Sequence, residues 1–195
     1  MTHPQNPVLV LVTGPPGTGK TTIARALAAE LELPLLEKDT LKETIGGVLG
    51  IDDRPRSELL GAAVFEVLAD LVHDLTRRGV SVIAEGNFAV GSRLIRELPP
   101  TRVVQVHVTA EPDVIEERLR NRDTHRHPVH YDGGAASEIA ARVRNGDWGP
   151  LPLDGPLLSV DTSDCFPAVG PLAERIAAEL IQAERHSPPH VFPSP

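Results

Sequence analysis

Val8-Leu9-Val10-Leu11-Val12-Thr13-Gly14-Pro15-Pro16-Gly17-Thr18-Gly19-Lys20-Thr21-Thr22 decides the fold of this chain. Its first six residues form an unbroken apolar, β-branched run, the pattern of a parallel strand buried on both faces. The next eight, Gly14–Thr21, satisfy G-x-x-x-x-G-K-[ST] at every defined position. Thr21–Leu31 is rich in helix formers, so the motif lies between a strand and a helix, the context that gives it meaning. Glycines there let successive main-chain N–H groups converge on phosphate oxygens, and the helix N-terminus adds its dipole. Gly14, Pro15, Pro16, Gly17, Thr18, Gly19, Lys20, Thr21 and Thr22 are therefore the candidate nucleotide-binding residues. Lys20 would reach the β- and γ-phosphates, and the Thr21 hydroxyl would ligate Mg²⁺. The guanine-recognition pattern N/T-K-x-D is absent, which favours ATP over GTP.

Outward from this loop, strand and helix patterns alternate. Further strands are expected at 33–37, 80–84, 102–108 and 157–160. Helices are expected from about residue 40, over 57–78, over 112–122 and over 172–181. The clearest is 57–78, where apolar residues at 59, 60, 63, 64, 67, 68, 71, 72 and 75 make one stripe, and Arg77, Arg78 and Gly79 make a stop signal. Five strands separated by helices predict an α/β fold: an open, parallel sheet covered on both sides, with ligands beyond the carboxyl ends of its strands. A single domain over 8–185 is expected, with a polar lid at about 118–137 and disordered ends at 1–7 and 186–195.

Composition limits the partners. The 195 residues carry 19 Lys plus Arg against 27 Asp plus Glu, a formal net charge of −8. Tight nucleic-acid binding rests on Lys and Arg neutralising phosphates, so nucleic acid is not the expected partner. Four Phe, one Tyr and one Trp are too few for a base-stacking platform. The single Cys165 excludes an intramolecular disulfide and any Cys-rich zinc site. No apolar run approaches the roughly 18 residues of a membrane span, and no signal-peptide pattern precedes the first strand. The expectation is a soluble, cytoplasmic protein of ordinary globular composition.

Other residues sort the chemistry. Asp39 follows the second strand, where its carboxylate could take the proton of an attacking hydroxyl; it also suits the cap of a helix beginning at Thr40. Lys42, one turn on, is either a substrate contact or an exposed lysine. Glu85, Asn87 and Phe88 follow the third strand: Glu85 suits a hydrogen bond to a water on Mg²⁺ or to substrate hydroxyls, and Asn87 and Phe88 suit the substrate. Arg118 and Arg122 share a helix face with Ile115, and Arg126 follows; cations there would neutralise charge on a transferring phosphoryl group. Arg120 is expected on a solvated face, paired with Glu116. His125, His127 and His130 lack the i,i+4 spacing of a helical zinc site, leaving substrate contact or lid surface open. His73 is expected to be exposed. Asp161-Thr162-Ser163-Asp164 either passes beside the adenine or simply turns.

The phrase Gly14–Thr21 also occurs in large AAA-type motor ATPases. Those need a strand ending in paired Asp-Glu, whereas Ala84-Glu85-Gly86 offers one carboxylate, and the chain is short for their lid domain; a motor is not expected. Across 8–183 the chain resembles the P-loop kinases that include chloramphenicol phosphotransferase, zeta toxins and the kinase domain of polynucleotide kinase, and more distantly adenylate and gluconate kinases. Gly14–Thr21, Lys38-Asp39-x-x-Lys42-Glu43, Glu85–Phe88 and Arg118-x-x-x-Arg122 carry the resemblance. It implies strand order 2-3-1-4-5, ATP·Mg²⁺ as phosphate donor, Asp39 as base, Arg122 and Arg126 as lid cations, and Arg118 on the adenine. The acceptor is not implied. The expected activity is transfer of the γ-phosphate to a small-molecule hydroxyl, such as that of an antibiotic or a nucleoside-like or sugar-containing metabolite. The alternatives are a nucleotide or polynucleotide 5′-hydroxyl kinase, which would enlist Arg54, Arg56 and Arg93, and a nucleotide-dependent regulatory ATPase.

Overall fold

A computed structural model describes residues 6–99, 101–123, 129–130 and 136–185. Arg126, His125 and His127 lie outside the described residues, as do the ends at 1–5 and 186–195. Five parallel strands, β1 (Val8–Thr13), β2 (Leu35–Glu37), β3 (Val82–Glu85), β4 (Arg102–Thr109) and β5 (Leu157–Asp161), lie in the order β2-β3-β1-β4-β5. The α/β architecture and strand order agree with expectation. β1 is central and wholly buried, which is why its six residues are apolar or Thr.

Residues alternate between the two faces of the sheet. Val8, Val10 and Val12 pack with Val104, Val106 and Val108 under α1 (Lys20–Leu31) and α7 (Gly170–Arg185). Leu9 and Leu11 pack with Val82, Ala84 and Val103 under α3 (Arg54–Arg77) and α4 (Arg93–Arg96). Register then gathers the strand ends: Glu37 pairs with Glu85, Glu85 with Val12, and Thr13 with His107. Hence carboxylates and hydroxyls meet along one edge, directly beneath the glycine-rich loop.

Several local expectations are corrected. α3 starts at Arg54 because Asp53 caps it, accepting from the Arg56 amide at 2.8 Å, with Pro55 in the first turn. Its apolar stripe is wider than its contact: Leu60, Val64, Leu68 and Val72 form the buried ridge, while Leu59 (73% exposed), Val67 and Leu71 face outward. α2 (Lys38–Leu49) starts two residues early, placing Asp39 inside the first turn; Glu37 stands at the cap position. Asp39 is thus not the helix cap. His73 is half-buried and donates from Nε2 to the Glu97 carbonyl at 2.8 Å. Pro7 already belongs to the ordered body, since its carbonyl accepts from the Arg102 amide at 3.3 Å. The polar stretch after α5 (Pro112–Asp123) leads into a helix absent from the expectation, α6 (Ala136–Arg144). No helix among the described residues is long and apolar enough to cross a membrane.

Candidate active site

The loop between β1 and α1 has the backbone its glycines allow. Gly14, Gly17 and Gly19 have φ of 135°, 86° and 81°, which side chains rarely adopt. A Cβ at Gly14 would run into the Val108 carbonyl, and one at Gly19 into the Phe166 ring. Positive φ at all three glycines turns the main chain into a cradle, a fit for phosphate oxygens. Thr18 is buried and donates to the Pro15 carbonyl at 3.0 Å; Lys20 Nζ donates to the same carbonyl at 2.9 Å.

A cavity of about 580 Å³ opens at this edge of the sheet. Pro16, Gly17, Gly19 and Lys20–Thr22 line its floor; Lys38, Asp39, Lys42 and Glu43 of α2 line one wall; Glu85 and Asn87 lie behind; Arg122, Arg142, Trp148 and His130 complete it. The structure thus brings Lys20, Thr21, Thr22, Asp39, Lys42, Glu85, Asn87 and Arg122 together. Phe88 departs from expectation: it is buried in the core, edge-on to Phe65 at 5.8 Å between ring centres, and supports the site from beneath. Lys42 is no exposed lysine; it is 8% exposed and donates to Ser57 Oγ at 2.8 Å.

Charges are set by burial. Burial lowers the Lys20 pKa to about 8, against the pull of the Glu85 and Asp39 carboxylates. Burial likewise raises the pKa of Glu85, which is 4% exposed, while the Lys20 ammonium opposes the rise and Asp39 and Glu37 add to it. Its carboxylate makes no side-chain hydrogen bond among the described residues, which suits a group that faces a cation. Asp39 accepts from Lys38 Nζ at 2.9 Å. Arg25 grips Glu37 with two hydrogen bonds, of 2.6 and 3.0 Å, and Thr40 adds a third at 2.7 Å, so this wall is braced at the end of β2.

Arg118 lies away from the cavity lining and joins the loop after β5. It donates to Thr162 Oγ1 (3.0 Å) and to the Thr162 carbonyl (2.6 Å), and it stacks over Phe166 at 5.4 Å. Thr162, fully buried, also donates to the Thr18 carbonyl at 2.8 Å. Asp161 makes the turn, accepting from the Ser163 amide and hydroxyl. The 161–164 stretch therefore both turns and braces the glycine-rich loop. Arg120 is exposed and paired with Glu116, as expected.

Sequence reasoning missed Arg142 and Trp148. Arg142 stacks on the indole at 5.0 Å and pairs with Asp147 at 3.1 Å. The indole N–H is buried without a partner among the described residues. The segment beyond is pinned to the sheet: the Gln105 amide, turned to satisfy both its ends, bonds the main-chain N–H and carbonyl of Leu151 at 2.9 and 3.0 Å. The one sequence signal was rarity, since this is the chain's single Trp. Arg54, Arg56 and Arg93 stand outside the cavity lining, paired with Glu58, with Asp52 and Asp53, and with Glu66, Asp70 and Glu97 respectively.

Strand order, glycine cradle and shared cavity define a P-loop nucleotide-binding protein of kinase-like fold. A sequence profile for the family described as AAA domain matches residues 9–145, and the chain belongs to that family. The solved structure of a candidate kinase from Chloroflexus aurantiacus is 35% identical, covers 89% of this chain and 98% of its own, and superposes with a TM-score of 0.80. A shikimate kinase of Halorhodospira halophila is 32% identical over 189 residues, 96% of this chain and 99% of that protein. The ATP-dependent protease ATPase subunit HslU of Thermoanaerobacter pseudethanolicus is 26% identical over 81% of this chain, but the chain spans only 32% of that protein's length. These likenesses support the small-molecule-kinase fold at large and do not single out the chloramphenicol phosphotransferase, zeta toxin or polynucleotide kinase branch.

Proposed function

We propose that this protein is an ATP-dependent phosphotransferase that moves the γ-phosphoryl group to a hydroxyl of a small molecule. The observation that carries the reading is the placement of the Asp39 carboxylate and the Lys20 ammonium in one cavity of about 580 Å³, roomy enough for triphosphate and acceptor together. The acceptor hydroxyl gives its proton to Asp39 while its oxygen forms the new bond to the γ-phosphorus. The bond from that phosphorus to the bridging oxygen breaks, and ADP leaves. Lys20 and Arg122 hold and neutralise the phosphoryl oxygens as charge spreads over them. Arg126 is assigned the same task on sequence alone. The Thr21 hydroxyl, with Glu85 behind it, would hold Mg²⁺, which would supply the remaining neutralisation of phosphate charge. Asn87 and Lys42 would orient the acceptor, and Arg118 would support the adenine.

The test is ADP release with and without hydroxylated metabolites and antibiotics, followed by mass analysis. The reading expects sharp acceleration by the correct alcohol and a product heavier by one phosphoryl group. ADP release that no alcohol accelerates overturns it. The HslU likeness favours a second reading, a nucleotide-dependent regulatory ATPase, which would be indifferent to alcohols and respond to a protein partner. A 5′-hydroxyl polynucleotide kinase draws no support from Arg54, Arg56 or Arg93, which are paired elsewhere.

A further inference from the structure

Asp39 and Glu43 stand four residues apart on α2, so their side chains rise from one side of the helix about 6 Å apart. Both line the cavity. The phosphotransferase reading uses only the first. Glu43 accepts a hydrogen bond from His130 Nε2 at 2.8 Å; the imidazole is 2% exposed and the glutamate 38%.

His130 reaches that place because its neighbour is driven into the core. Val129 is fully buried among Ile51, Leu60 and Val64. Gly46 makes the room, since a Cβ there would lie 2.5 Å from Val129 Cγ2. The Val129 carbonyl accepts from the Ser57 hydroxyl, which in turn accepts from Lys42. Packing and a polar relay between α2 and α3 thus fix the imidazole before any ligand arrives. A carboxylate has about four acceptor positions, and His130 takes one while orienting the rest.

We infer that Glu43, oriented by His130, is the acceptor-recognition carboxylate: it accepts a hydrogen bond from a second hydroxyl of the molecule whose first hydroxyl faces Asp39. The inference rests on the phosphotransferase reading and adds a substrate class to it. Two hydrogen bonds of about 2.7 Å each let a molecule with two hydroxyls span carboxylates a helical turn apart. The acceptor is therefore a polyol, and simple alcohols are poor acceptors.

The experiment measures ATP-dependent ADP release with D-gluconate, shikimate or myo-inositol as polyol probes and 1-propanol as the monohydric comparison. It uses the full chain and its Glu43→Gln, Glu43→Asp and Val129→Ala variants. For a probe that accelerates the wild type, Glu43→Gln raises the probe's KM at least about tenfold, the cost of a lost bond to a charged group, while kcat changes less than threefold. Glu43→Asp recovers part of the loss. Val129→Ala, which loosens His130 without touching the cavity lining, raises the same KM. Wild-type probe KM in Glu43→Gln overturns the inference, and so does an equal loss in kcat, probe KM and nucleotide KM, which marks a structural tie. If 1-propanol accelerates release and no polyol does, the inference fails alone. If no alcohol accelerates it, the phosphotransferase reading fails as well.

Discussion

At the level of single residues, burial sets the charge of the glycine-rich loop. Lys20 has a pKa near 8 without ligand, against 10.5 in the open chain, so it is a cation at pH 7 and largely neutral at pH 9. Phosphate binding requires the cation. ADP affinity should therefore be about tenfold weaker at pH 9 than at pH 7, and a Lys20→Met variant should lose that slope along with most of its affinity. The linkage to folding has the opposite sign. Between about pH 8 and 10.5 the unfolded chain binds more protons at this residue, so its contribution to stability rises with pH while ADP affinity falls. Calorimetric titration beside thermal unfolding separates the two trends, and parallel losses in both would point to alkaline unfolding instead. Asp39 lends itself to a simpler test. Asp39→Asn should lower kcat by about 10²-fold or more with the nucleotide KM within threefold, because only the transferring proton loses its destination. Equal losses in both would reduce Asp39 to a partner of Lys38.

At the level of elements, what was legible in the sequence is what local chemistry decides. β1 announces itself because burial on both faces demands an apolar run, and the loop after it because its φ angles demand glycine at 14 and 19. Asp53-Arg54-Pro55 was a readable helix start, hidden by the louder apolar stripe that follows. α4 is one turn long, too short for a period to show. The contacts that escaped, those of Thr162, Trp148 and the Glu43–His130 pair, are made across tertiary gaps: Thr162 meets Thr18 from 144 residues away, and His130 meets Glu43 from 87. Nothing near them in sequence records those meetings. The loop after β5 offers a test at this scale. Thr162→Val keeps the shape but leaves the Thr18 carbonyl and the Arg118 guanidinium short of a partner, a cost of about 1–3 kcal/mol. Differential scanning calorimetry should show Tm falling by about 2–12 °C. The nucleotide KM should rise as well, because the bond that is lost braces the glycine-rich loop itself.

At the level of the whole molecule, parallel strands in the order β2-β3-β1-β4-β5 turn every carboxyl end toward one edge, so a donor and an acceptor drawn to that edge must share one cavity. Sharing makes their binding interdependent. Any ligand held only by the folded state raises stability by RT ln(1 + [L]/Kd), about 2.7 kcal/mol at a hundredfold excess over Kd. For a chain of this length that is a Tm rise of about 5–11 °C. ADP should produce that shift in the wild type and little of it in Lys20→Ala, whose cradle has lost its cation. A true acceptor should then add a second shift larger in the presence of ADP than in its absence, because ADP fills the floor against which the acceptor rests. Reciprocity requires the same acceptor to lower the ADP Kd by the same factor. Thermal scans of the four combinations, with titrations to check the reciprocal factor, measure this directly. Shifts from ADP and acceptor that simply add would mean that the two ligands bind without coupling, and the predicted contact between bound ADP and acceptor would then be absent.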